Sequence, residues 1–191
     1  MLFRSGLLPH LCEKVLGRLT VEYGEAKEIL DFTPPYREIA YKDAVKEMMG
    51  QDWFDLTVQQ ARAKAEAQGL EIDPAWDHLL ITHEVYDKLV EKTLRQPTFV
   101  TRVPRQFVPL AKACADDPEL VDVFEFVVAG KELCPGYTEQ NDPEAQRKAF
   151  ADQVGVMAAK RCRCGGCGGC ACAASPQIAL SQAGNQDGRG D

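Results

Sequence analysis

Three carboxylates carry the chemistry that this sequence offers most plainly. Glu125, Glu132 and Glu139 recur at even spacing within VDVFEFVVAGKELCPGYTEQNDP, residues 121–143. The stretch interleaves Phe124, Phe126 and Val128 with Val123, Glu125 and Val127, offers a turn at Ala129-Gly130, and begins a second run at Lys131. Apolar-rich runs about a Gly turn predict a β-hairpin. With a two-residue loop, Val128 faces Lys131 and Val127 faces Glu132. Side chains alternate along a strand, so Glu125 shares the face of Val127 and becomes a diagonal neighbour of Glu132. Strict alternation sends Glu139 to the opposite face. A bulge at Pro135-Gly136 would bring it back, because Pro and Gly inside a strand mark such places. Like charges held together repel unless a cation lies between them, and Mg²⁺ carrying nucleotide phosphates suits an oxygen-only site. Solvated carboxylates on the open face of an antiparallel sheet are the other reading of the same spacing.

The elements that must position these residues follow from the flanking sequence. Leu11, Val15 and Leu16, with Gly17 behind them, predict the end of a helix. Residues 19–24 and 28–35 predict two strands, the second stopped by Pro34-Pro35. A short helix over Tyr41–Met49 is closed by Gly50. Residues 51–95 are helical in pattern: Thr57 can N-cap Val58–Gln68, and Asp73-Pro74 can start the next helix with Pro at its first position. His83, Trp53 and Trp76 fit packing roles there. Short strands are predicted over Pro97–Val100 and Gln106–Leu110, a loop or short helix over Ala111–Val121, and a closing helix over Glu144–Val154 after Asn141-Asp142-Pro143. The expected class is α+β, antiparallel strands with a helical insertion.

Composition bounds the function. The chain has 191 residues, 45% hydrophobic and 27% charged, with net charge −7, as in a globular domain with a real core. No basic block points to nucleic-acid binding by this chain alone, and no run of 18 apolar residues predicts a membrane span. Five of the eight cysteines, Cys162, Cys164, Cys167, Cys170 and Cys172, crowd into a Gly-rich tail. That argues for a reducing, cytoplasmic setting rather than a disulfide framework. Residues 158–191 are expected to be a low-complexity tail without folding-coupled zinc, since the cysteine spacing is irregular and the tail has no His. The closing Arg189-Gly190-Asp191 is taken as coincidence.

Three segments, in order, bring in a family. FEFVVAGKELCPGYTEQNDP resembles the R-F-E-x-F-x-x-G-K/R-E-I-x-N-x-Y/F-[ST]-E-L-N-D-P signature of lysine-specific class II aminoacyl-tRNA synthetases. DFTPPYREIAYKDAV, residues 31–45, and QPTFVTRVPRQFVPLAK, residues 96–112, are similar to the family's other two segments. The resemblance covers about residues 11–154, and the expected domain runs over 11–157, with residues 1–10 unmatched. It implies part of a class II catalytic domain, ATP and Mg²⁺ as cofactors, and lysine and ATP as ligands. In the complete enzyme it also implies tRNA(Lys) and a homodimer. By the same resemblance Glu125 and Glu132 meet ATP and Mg²⁺, Glu139 meets the lysine ε-ammonium, and Tyr137 lines the lysine pocket.

Departures accompany the likeness. Pro135 stands where the family has Asn, Val108 where it has Ser and Val123 where it has Arg. The arginine-bearing F-R-x-E and G-x-G-x-x-R segments do not occur in the sequence, nor does the anticodon-reading OB-fold. The chain is therefore expected to be an internal part of the catalytic domain, inactive by itself. A synthetase-like binding or regulatory module without catalysis is the alternative.

Overall fold

The computed structural model describes residues 2–161, with side-chain detail for residues 6–152. The tail cysteines and Arg189-Gly190-Asp191 lie outside the described residues. Helix α1 (Leu2–Leu16) is followed by strands β1 (Thr20–Tyr23) and β2 (Glu28–Asp31). Strand β3 (Arg37–Ala40) runs directly into α2 (Tyr41–Met49). A 3₁₀ turn (Trp53–Asp55), α3 (Val58–Glu66), α4 (His78–Val85), a π turn (Tyr86–Val90) and α5 (Glu91–Thr93) form the helical segment. Strands β4 (Thr98–Thr101), β5 (Val123–Val128) and β6 (Lys131–Tyr137) and helix α6 (Pro143–Arg161) complete the order.

Local chemistry explains most boundaries. Gly50, at φ 99°, ends α2 and sends its N–H back to the Lys46 carbonyl, a conformation that glycine adopts without a Cβ penalty. Thr57 and Gln60 form a reciprocal capping box that starts α3. The helix expected at Asp73-Pro74 begins instead at His78, with the Asp77 side chain accepting from the Leu80 N–H. Asp73 is spent on its own turn, accepting from the Ala75 N–H. Arg62 holds the intervening turn, closed by the Trp76 N–H on the Asp73 carbonyl, by donating to the carbonyls of Asp73, Pro74 and Trp76. The strand expected over Gln106–Leu110 is absent. Pro104 and Pro109 bracket that stretch without N–H donors, and it folds as turns, Phe107 N–H to Pro104 and Ala111 N–H to Val108. Its Phe107 ring stacks on His83 at 3.7 Å, and His83 lies 3.7 Å from Asp87, the packing role expected of that histidine.

The main sheet has the order β3-β4-β5-β6, and β1-β2 form a separate antiparallel pair. Strands β4, β5 and β6 pair antiparallel. Strand β3 pairs parallel with β4, because the whole helical segment is the crossover between them. Both faces of the sheet are covered. Val100, Val123 and Val127 join the larger core with Tyr41, Val45, Trp53, Ile81, Val85, Tyr86 and Val90 of the helices. Phe126 and Val128 join a smaller one with Leu30 and Phe32, against which Leu8, Tyr36 and Phe99 pack. Gln96 fastens β1-β2 to the sheet, accepting from the Asp31 N–H and donating to the Ile29 carbonyl. Among the described residues no helix is long and apolar enough to cross a membrane.

Candidate functional site

The hairpin turn is as tight as its sequence suggests. Ala129 and Gly130 both have positive φ, 55° and 71°, which gives the strand-matching twist of a two-residue hairpin loop. Their N–H groups donate to the carbonyls of Arg95 and Leu94, and Arg95 donates back to the Ala129 carbonyl. A Cβ at Gly130 would lie 3.0 Å from the Lys92 backbone. The turn is thereby seated on the end of α5.

Val128 pairs with Lys131 and Val127 with Glu132, as the two-residue loop requires. The bulge is not at Pro135-Gly136. It is at Leu133, since Phe126 pairs with Cys134 while Val127 keeps Glu132. This one extra residue flips the alternation of β6. Glu132, Pro135 and Tyr137 then oppose Val127, Glu125 and Val123, on one face, and Glu139 falls in the same phase. Gly136 has a different job: a Cβ there would come within 2.3 Å of the Phe124 ring.

The face that carries Glu125 is not an open one. It is the face of the larger core, and Glu125 sits between the buried Val123 and Val127. The helical segment comes over it. The Tyr86 hydroxyl donates to Glu125 Oε2 at 3.1 Å. Glu91 accepts the Glu132 N–H at 2.8 Å and so pins the bulged part of β6. Burial pushes the Glu125 carboxyl up to about 7, with the Glu132 charge adding to it and the Tyr86 hydrogen bond opposing it. Glu132 is raised too, by desolvation and then by Glu91. Among the described residues no Lys or Arg forms an ion pair with either.

Glu139 lies further along, in an isolated bridge with Ala111. The flanking bonds run from the Lys112 N–H to the Thr138 carbonyl and from the Gln140 N–H to the Leu110 carbonyl. At about 3.3 Å per residue its backbone is roughly 13 Å from Pro135, and it is exposed. Tyr137 is half-buried against the larger core, as is Val108. The hairpin thus couples Glu125 and Glu132 directly, with Tyr137 and Glu139 following in line. The sequence reading missed Tyr86, Asp87 and Glu91. Their signal was faint: Asp87 and Glu91 form an i,i+4 like-charge pair, which helices ordinarily avoid.

An oxygen-only pair fits Mg²⁺ carrying phosphates. Among the described residues no three His, Cys, Asp or Glu side chains group to hold a metal by themselves. Mg²⁺ on a nucleotide needs only one or two carboxylates beside the phosphates. The donor chemistry of Glu125 and Glu132, and their mutual repulsion, match that requirement.

Comparison with known proteins assigns the class. The model for tRNA synthetases class II (D, K and N) matches residues 4–160, and the chain belongs to that family. It is 39% identical over 155 residues to the lysine–tRNA ligase of Bacillus subtilis, covering 81% of this chain and 31% of the relative. It is 37% identical to the lysine–tRNA ligases of Salmonella arizonae, over 81% of this chain and 31% of the relative, and of Aquifex aeolicus, over 80% and 26%. The chain spans about a third or less of the length of these relatives.

Proposed function

We propose that this chain carries the ATP- and lysine-binding hairpin of a lysine–tRNA ligase. The observation that carries the reading is the Glu125–Glu132 pair: a partly buried carboxylate beside an exposed one that raises it further, with no cation of the described residues paired to them. Glu125 and Glu132 hold Mg²⁺ with the phosphates of ATP. Bound there, Mg²⁺ supplies charge neutralisation on the phosphates. Glu139 accepts the lysine ε-ammonium as a full-charge partner, and the Tyr137 ring lines the same pocket and adds cation–π attraction. The complete protein would activate lysine by attack of its carboxylate on the α-phosphorus of ATP, with pyrophosphate leaving. It would then pass lysine to tRNA(Lys), as a cytoplasmic homodimer.

Calorimetry with the full chain tests the reading. Mg²⁺-dependent ATP binding is expected, weakened about tenfold or more by Glu132→Ala. ATP binding indifferent to Mg²⁺ and to Glu132 would overturn it. Lysine-dependent ATP–pyrophosphate exchange by this chain alone is expected to be absent, because a phosphate-directed cationic donor is typically worth about 10²–10³ in rate and the sequence carries neither arginine segment.

One observation favours the second reading, a binding module without catalysis. Pro135 lies directly across from Glu125 on the site face and offers no side-chain hydrogen bond where the family has an amide. Lysine titrations with and without Pro135→Asn separate the two. A ligase pocket weakened at one position gains lysine affinity with Asn, whereas a module of another kind binds lysine in neither form.

A further inference from the structure

The group that most needs explaining is Tyr86, which no segment of the signature contains. It is 4% exposed, and it opens the π turn, where the Glu91 N–H reaches back to the Tyr86 carbonyl. Single π turns inside helices are frequent at functional sites. Here the Tyr86 side chain crosses from the helical layer to the sheet and ends on Glu125 Oε2 at 3.1 Å. The ring is held from its other side by Tyr41, whose centroid is 4.5 Å away and which is 1% exposed. A clamped ring fixes the position of its hydroxyl oxygen, and a hydrogen bond donated from that fixed point favours one rotamer of the carboxylate it reaches.

We propose that Tyr86 is the positioning residue for Glu125: its hydroxyl occupies one carboxylate oxygen and leaves the other as the acceptor for the cation. This rests on the reading of Glu125 and Glu132 as the Mg²⁺–phosphate carboxylates. A side chain with free rotation would present either oxygen, or neither, toward Glu132. Partners of metal-binding carboxylates that act this way change cation affinity by about 10–100-fold when removed.

The test uses the full chain and its Tyr86→Phe variant, which keeps the ring and removes the hydroxyl. The readout is the Mg²⁺ concentration that half-saturates ATP binding, repeated with Mn²⁺ by spin resonance, beside ATP affinity at saturating cation. Tyr86→Phe is expected to raise the half-saturating cation concentration about tenfold and to leave ATP affinity at saturating cation near that of the parent. A merely structural role would weaken both or neither. Tyr36→Phe serves as the structural control, since the Tyr36 hydroxyl bonds the Phe32 carbonyl at 3.0 Å beside the opposite face of the sheet. It is expected to lower the melting temperature without changing the cation requirement. A parent chain that binds ATP with no cation dependence overturns the site reading and this inference with it. A cation-dependent parent with an unchanged requirement in Tyr86→Phe overturns the role of Tyr86 alone.

Discussion

Two sets of carboxylates divide the molecule. At the periphery Glu28, Asp52 and Asp116 each face a cation: Arg95 on Glu28, Lys64 on Asp52 and Arg102 on Asp116. All three are held below the ordinary carboxylate range, chiefly by the hydrogen bond from that cation. On the hairpin the direction reverses. Glu125 and Glu132 are raised, by burial first and by a neighbouring carboxylate second. The periphery answers its charges with its own side chains. The hairpin keeps a charge problem that no cationic side chain among the described residues answers. Unrelieved repulsion of this kind is costly, and it is retained where a ligand supplies the missing charge.

The largest effect that would break this contrast comes from removing the hairpin's seat. Phe126 is 1% exposed and packs against Tyr36 and Phe99 on the face opposite Glu125. Phe126→Ala is expected to cost about 3–5 kcal/mol, read as the shift of a denaturant midpoint at unchanged slope. Leu133, the bulged residue, is 57% exposed, and Leu133→Ala should stay within about 0.5 kcal/mol of the parent. Equal losses at the two positions would mean that β6, rather than β5, anchors the carboxylates.

Much of this arrangement is legible in the residues. Ala129-Gly130 specified the turn, and the turn alone fixed Val127 opposite Glu132. Thr57 and Gly50 marked helix ends because each satisfies a backbone group locally. The failures share a cause: the deciding partner is distant in sequence. Asp73-Pro74 reads as a helix start until Arg62 claims the carbonyls around it. Pro135-Gly136 reads as a bulge, yet Gly136 answers to the Phe124 ring across the strand. The true bulge at Leu133 has no Gly or Pro to announce it, and coincides with the Glu91 carboxylate that binds the preceding N–H. The site's helical half, Tyr86 and Glu91, left only a faint signal for the same reason. The sheet's covered faces also escaped notice, since a single charged residue in a strand looks like a solvent face until its neighbours are known.

A second prediction sharpens the contrast through pH. The folded-state value of Glu125 is about 7 against an ordinary 4.5. The folded chain therefore binds the proton more tightly than the unfolded one, and stability falls as pH rises from about 4.5 to 7, then levels. Glu125→Gln keeps an acceptor for the Tyr86 hydroxyl and removes the charge. It is expected to stabilise the ligand-free chain by on the order of 1–3 kcal/mol at pH 8 and to have little effect at pH 4. Thermal melts across that range check it, and destabilisation by Glu125→Gln at pH 8 would show that the carboxylate is already paired.

The smallest effect, and the one of opposite sign, belongs to Glu28. Its carboxyl is lowered by the Arg95 hydrogen bond, so its contribution to stability is present above the ordinary 4.5. It is lost as pH falls through the folded value below that. Glu28→Gln should therefore destabilise at pH 7, and its difference from the parent should shrink on acidification below pH 4.5. The Glu125→Gln difference, by contrast, grows between pH 4.5 and 7. The Glu28 effect should be smaller because Arg95 and Glu28 are solvent-accessible, with 45% and 27% of their side chains exposed, and exposed pairs contribute little. About 1 M salt should erase most of it, since the screening length falls to about 3 Å, while the Glu125 effect, set mainly by burial, should persist. If salt abolished both alike, the hairpin carboxylates would be ordinary surface charges, and the case for a cation site built on their burial would fail.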